Sequence, residues 1–277
     1  VEKIVEQKDA SPDERKISEV NSGILAIKTK YLKDLVRKIS NKNAAKEYYL
    51  TDIVEIANQA GIPVKATIVS DHKQVLGVNN QQELHDLERQ YQEDLARQLI
   101  AKGARLADLS RIDVRGDLSV GSGSFIDINA VFEGNNKIGK SVTIGPNCYI
   151  SNSILADDVK VLANTVIEDS IVGVGCALGP FSRIRGGTTM ETGSELGNFV
   201  EANRSHIGPS SKAKHLTYLG DAELGSKVNV GAGTITCNYD GKNKNKTIMD
   251  DGSFVGSNSS LVAPVKLGKD SYTGAGS

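Results

Sequence analysis

From about residue 110 onward the apolar residues fall six apart. The series runs Val120, Ile126, Phe132, Ile138, Ile144 and Ile150, resumes at Leu155, Val161 and Ile167, and resumes again at Val172, Leu178, Ile184, Met190 and Leu196. It continues through Ile207, Ala213 and Leu219, then Leu224 and Val230, and closes on Val255, Leu261, Leu267 and Thr273. The next position is often Gly, as at Gly121, Gly139, Gly145, Gly197, Gly208 and Gly231. A period of six fits neither one face of a helix nor a strand whose faces alternate every two residues. It predicts a triangular coil with three short, six-residue sides. One aliphatic per side points to the axis and stacks on its equivalent in the next coil, and Gly relieves crowding where the chain turns. Each coil buries its aliphatics against its neighbours alone, so residues 110–277 read as an all-β solenoid.

The series slips in five places. Single residues are missing after Ile150, Ile167 and Leu219, which tightens a corner. Two longer gaps read as insertions, one between Leu196 and Ile207 and one between Val230 and Val255; the second contains TITCNYDGKNKNKT, Thr234 to Thr247. Loops extruded from a rigid scaffold are where binding groups usually sit.

The first hundred residues carry different signals. Lys3–Val5, Ser22–Lys28 and Ile62–Val69 read as strands. Tyr31–Ile39 and Glu47–Ala60 place their apolar residues at helical spacing. Asn80 can cap a long helix from Gln81 to Lys102, with Leu84, Leu87, Tyr91, Leu95 and Leu99 on one face and Gly103 as the stop. The expectation is the tail of an α/β, Rossmann-like domain over 1–80 and a linking helix over 81–109.

Composition narrows the function classes. The chain has 277 residues, 39% hydrophobic and 24% charged, with a net charge of −1, so nothing suggests a nucleic-acid or membrane-surface partner. No long apolar run or signal-peptide pattern is present, and three scattered cysteines suit a reducing cytoplasm better than a disulfide framework. The chain opens at Val1 directly on strand-like residues, and we expect it to be part of a longer protein. The solenoid holds two histidines. His206 reads as a surface or satisfied core residue. His215, in SKAKHLTYLGDAELG between the two gaps, could take a proton from an attacking amine. Two histidines nine residues apart do not supply a three-histidine zinc cluster.

The runs GPFSRIRGG, LGNFVEANR, SKAKHLTYLGDAELGSKVNVGAGTITCNYDGKNKNKT and FVGSNSSLVAPV, with VEQKDA, EVNSGI, EYYLTDI and GVNN before them, resemble a bacterial bifunctional enzyme family. Its members are N-acetylglucosamine-1-phosphate uridyltransferase/glucosamine-1-phosphate N-acetyltransferases. The resemblance implies a left-handed parallel β-helix that forms a homotrimer, acetyl transfer from acetyl-CoA to the amine of glucosamine 1-phosphate, and UTP-dependent uridyl transfer to UDP-N-acetylglucosamine in the intact protein; the alternatives are an impaired scaffold or trimerisation module and a hexapeptide acyltransferase for another amino sugar. It implies His215 as catalytic base and Glu201 as the group that orients it. Arg185, Asn203, Tyr218, Asn229 and Lys244 would meet the amino-sugar phosphate. Ala232, Asn238, Tyr239, Ser257 and Ala275 would meet acetyl-CoA. In the leading part, Glu6, Asn21, Thr51 and Asn79 would contact a UDP-sugar, and Asn79 would help bind Mg²⁺, which prefers oxygen ligands.

Several positions depart from the family pattern. The Gly-rich nucleotide loop and the acidic Mg²⁺ partner are absent from these residues. Arg185-Gly186-Gly187 stands where the family has Arg-Pro-Gly, and Asn203 stands where it has a phosphate-binding Lys. Arg204 is adjacent to Asn203, but alternation along a strand predicts that it faces the other way.

Overall fold

The computed structural model describes residues 1–277, which divide into two units, Val1–Leu87 and Glu88–Ser277. The second unit is a parallel β-solenoid. Its strands stack in register, coil on coil, in a nine-stranded sheet that forms one wall and a sixteen-stranded sheet that forms the other two. The long strand Ala130–Ile138 bends from one of those two walls into the other.

The six-residue series is the axis of this prism. On the first wall Ile126, Ile144, Val161, Leu178, Leu196, Ala213, Val230 and Val255 stack in succession. Ile150, Ile167, Ile184 and Leu219 line the second, and Leu155, Val172, Met190, Ile207 and Leu224 the third; all are fully buried. The crowding expected beside the axis is real: a Cβ on Gly208 would meet the Gly225 oxygen at 2.3 Å.

One sequence-based expectation is overturned here. The gap between Leu196 and Ile207 holds no insertion. Ala202 fills the axial place, fully buried and in register between Ile184 and Leu219. Alanine is a weak apolar signal, so the hexad passed unseen. The second gap is narrower than expected for the same kind of reason. Thr236 is fully buried on the axis, its hydroxyl accepting from the Gly220 N–H at 2.7 Å. The chain leaves the coil after Cys237 and returns at Thr247–Met249.

The corners turn on residues with positive φ, stacked in three columns. One column includes Ser141, Asp158, Ser210, Lys227 and Asp270; a second Asn129, Asn147, Asn164, Phe181, Phe199, Leu216 and Asn258; a third Asn152, Asp169, Gly187, Arg204 and Asp221. Within a column, the amide of the corner residue donates to the coil before, as from Asp221 to the Asn203 carbonyl at 3.0 Å.

At the start of the solenoid lies α3, Gln81–Ala101. Its start and stop are as the sequence predicts. The Asn80 carboxamide accepts from the Glu83 N–H at 2.9 Å and donates back to its carboxylate, a reciprocal cap. Gly103, at φ +95°, ends it. The expected apolar face is wrong in part: Leu84 and Tyr91 are exposed, whereas Gln92, Ala96 and Leu99 are buried. Gln92 is an edge partner. Its amide donates to the Val114 carbonyl at 2.9 Å and accepts from the Val114 N–H at 2.8 Å.

In the leading unit, α1 (Thr29–Val36) and α2 (Ile53–Gln59) pack through Leu35, Ile53 and Ala57, with Tyr31, Ile39 and Ile62 against them. The strands expected at Lys3–Val5, Ser22–Lys28 and Ile62–Val69 do not form, so the Rossmann-like sheet is not seen. A strand exists through its neighbour's hydrogen bonds, and none of these extended segments pairs with another. Ile24 and Ile68, within segments read as strands, are 73% and 79% exposed.

Candidate functional site

The solenoid places the candidate residues in two groups that flank its second wall. The first is a column at one corner. His215, Ala232, Ser257 and Ala275 each occupy the position just before a corner in successive coils. Their carbonyls, for the first three, accept from Gly233, Asn258 and Gly276 of the coil beyond. His215 ends the strand Lys212–His215, in register with Asn198, and its side chain is exposed. The amides of Ala232, Ser257 and Ala275 donate to no acceptor within the chain. Asn229 lies on the first wall in register with Lys212 and Phe254, on the approach to this corner.

The same corner is apolar in the coil of His215 and in the two coils before it. The rings of Phe181 and Phe199 stack at 5.3 Å, and Leu216 follows them; the three are 51%, 57% and 64% exposed. Asparagines hold the corresponding places at Asn129, Asn147 and Asn164, linked through their carboxamides.

The second group lies on the second wall and its far corner. Arg183, Glu201, Tyr218 and Ile235 are in register, and beside them Arg185, Asn203 and Gly220. Arg185 donates to the Glu201 carboxylate at 2.8 Å. Glu201 is thus engaged with the cation expected to meet phosphate, and it registers with Tyr218 rather than with His215. Arg183 pairs with Glu168 at 3.2 Å. Glu168, Asp169, Arg183, Arg185, Gly186, Asn203 and Arg204 line one shallow depression.

Arg204 does not point away as alternation predicts. It sits on a corner at φ +50°, where the two-residue alternation of a strand no longer applies. Its Nη1 reaches the Asn203 side-chain oxygen at 3.2 Å, and Nε and Nη2 grip the Asp221 carboxylate at 2.7 and 2.8 Å. The half-buried Asp221 also accepts from the Asn238 amide. The Arg204 hydrogen bond is the main influence holding the Asp221 carboxyl below the usual carboxylate range; Asn238 and the positive fields of Arg204 and Lys244 add to it, while burial opposes. Asp221 was missed by sequence reasoning. Its signal was its place one coil after Arg204 at a tightened corner, which only the stacking reveals.

The loop that leaves the coil after Cys237 begins with Asn238, which is buried, and Tyr239, which is exposed. The Asp240 carboxylate accepts from the amides of Asn243 and Lys242, which hold its pKa down, and from the Asn245 side chain. Tyr239 donates to the Gly241 carbonyl at 2.7 Å and bridges to the exposed Lys244. The loop is thus folded on itself, with Tyr239 and Lys244 outward.

In the leading unit Glu6, Asn21 and Asn79 are exposed and Thr51 sits in the turn Leu50–Asp52. Asn79 donates from both amide groups to Glu83 at 2.7 and 3.1 Å. No group of three or more His, Cys, Asp or Glu residues in the chain could hold a metal ion. No helix is long and apolar enough to cross a membrane.

Comparison with known proteins follows these coils. The family model described as the GMPPB C-terminal domain matches residues 114–238. The bifunctional protein GlmU of Marinobacter nauticus is 50% identical over 277 residues, which is 100% of this chain and 61% of that protein. That of Idiomarina loihiensis is 51% identical over 274 residues, 99% of this chain and 60% of the relative. A solved structure of LpxA from Acinetobacter baumannii overlaps 54% of this chain and 66% of its own at 14% identity, with a TM-score of 0.44. The chain spans about three fifths of the length of the curated relatives it matches. From end to end the chain is similar, at about half identity, to bifunctional GlmU proteins.

Proposed function

We propose that the solenoid transfers acetyl from acetyl-CoA to the amine of glucosamine 1-phosphate. The observation that carries this reading is the corner column. An exposed imidazole heads it, and three backbone N–H groups without internal acceptors follow at successive coils. A thioester laid along the column meets donors where its carbonyl oxygen would gain charge. The amine nitrogen bonds to the thioester carbon, His215 takes the ammonium proton, and the C–S bond breaks. The proton then passes to the departing thiolate. Arg185 supplies a fork of donors for the sugar phosphate, with Glu201 holding the guanidinium in place. Asn203 adds a neutral contact where a lysine would add charge. Tyr218 and Asn229 are the candidate contacts to the sugar on either side of the corner. Asn238 and Tyr239 are assigned to the CoA and Lys244 to the phosphate.

The protein acts, in this reading, as a homotrimer of left-handed prisms. The support for assembly is the exposed Phe181–Phe199–Leu216 stripe, an apolar face beside His215 that a second copy of the chain would cover. Uridyl transfer belongs to the same reading for the longer relatives. Within these residues Asn79 is occupied by Glu83, no acidic cluster accompanies it, and the set does not fit Mg²⁺; no step is routed through that ion. Cys148, Cys176 and Cys237 are free thiols, suited to a reducing, cytoplasmic setting.

The test is acetyl transfer by the protein and by His215→Ala, followed as release of free thiol from acetyl-CoA in the presence of glucosamine 1-phosphate. Loss of a general base lowers kcat by about 10²–10⁴-fold. Turnover of His215→Ala near the parent's rejects the assigned base, and no transfer by the parent rejects the function.

A further inference from the structure

We propose that Asp221, oriented by Arg204, is a positioning residue that clasps the 238–247 loop and ties it to the wall carrying Arg185 and Asn203. The role rests on the acetyl-transfer reading, since it is that reading which gives the loop a ligand.

The geometry is a chain of direct contacts. The Asp221 side chain holds the Asn238 amide at the loop's first foot, while the Asp221 carbonyl accepts from the Thr247 N–H at 3.2 Å at its second. Between the feet, the Asn245 N–H donates to the Asn238 carbonyl at 2.7 Å. One residue therefore touches both ends of the only long excursion from the solenoid. On its other side the Asp221 N–H donates to the Asn203 carbonyl, and Arg204 bonds both Asp221 oxygens and the Asn203 side chain. Arg204 commits three of its donors to these partners and is placed to hold the carboxylate rather than to meet a substrate anion. A bidentate guanidinium–carboxylate pair fixes direction as well as distance. Phosphate wall and loop thus share one anchor, and the Tyr239 ring is presented from a base that cannot pivot freely.

The test uses the full chain with Asp221→Ala, Asp221→Asn and Arg204→Lys. Hydrogen exchange at the Asn245 amide reads the clasp without reference to activity. Asp221→Ala is expected to speed it about tenfold, the loss of one charge-assisted bond, while the Thr247 amide, held by the Asp221 backbone, changes less. The KM for acetyl-CoA rises by a similar factor with kcat held within about twofold. Arg204→Lys, which keeps the charge and loses the fork, gives an intermediate value. Unchanged exchange at Asn245 in both Asp221 variants overturns the proposal. So does faster exchange spread evenly over the coils, which marks a general structural role. If the parent transfers no acetyl group, the functional reading fails and exchange alone decides the clasp.

Discussion

The solenoid and the leading unit respond differently to the same kind of residue. In residues 88–277 an aliphatic at the expected phase is nearly always fully buried, because the next coil supplies its partner at a fixed register. In residues 1–87 an aliphatic run such as Ile24–Leu25 or Ile68–Val69 stays exposed, because no second strand lies beside it. Apolar character alone therefore does not decide burial. A strand of this composition is completed by its neighbour, and in the solenoid the neighbour is the chain itself one turn later.

The largest expected effect sets the two regions side by side. Ile184→Asp puts a carboxylate on the axis between Ile167 and Ala202 and is expected to cost at least about 4 kcal/mol. Ile24→Asp, on a residue 73% exposed, is expected to stay within about 0.5 kcal/mol. Urea denaturation of the two variants measures both. Equal losses would break the comparison, since they would mean that Ile24 is buried in solution.

Gln92→Leu sharpens it at the boundary of the solenoid. The first coil has no earlier coil to pair with, and the Gln92 amide stands in by bonding both the N–H and the carbonyl of Val114. Leucine matches the size and leaves the two backbone groups unpaired, a loss of about 1–3 kcal/mol. Denaturation that shows no change would place water, rather than Gln92, as the partner of that edge.

How far each region could be read from its sequence follows the same division. The axial series was legible because its signal is local and repeats. Ala202 and Thr236 escaped because burial there is dictated by stacking and not by hydrophobicity. The corners were less legible: Phe181, Phe199 and Leu216 adopt positive φ without being Gly or Asn, so nothing in their identity marks a turn. That is also why Arg204 was expected on the wrong side. Of the candidate site, the residue types came through the family motifs, while their arrangement did not. The column of His215, Ala232, Ser257 and Ala275 is broken in sequence by the 238–247 loop, and Glu201 turned out to face Arg185. In the leading unit the helices were readable from spacing, and the strands were over-read because a strand cannot be judged without its partner.

The smallest effects are two carboxyl groups, one in each region, and acid separates them. Asp221 is held below the usual range chiefly by Arg204, and Glu14 is lowered from 4.5 to about 2 by hydrogen bonds from Lys3 and Ser11. Both bind a proton more weakly folded than unfolded, so each stabilises its unit fully above the unfolded carboxylate range, near 4, and loses that contribution as pH falls through the folded value. Stability of either unit should therefore decline below about pH 4, and Asp221→Asn and Glu14→Gln should each flatten the decline in their own region. NMR titration reads the groups singly. A Glu14 midpoint near 2 keeps the Lys3–Glu14 pair as a standing feature of the leading unit. A midpoint near 4.5, with Asp221 still depressed, would mean that salt bridges endure only where stacked coils fix both partners, which makes the contrast between the regions one of rigidity as well as of burial.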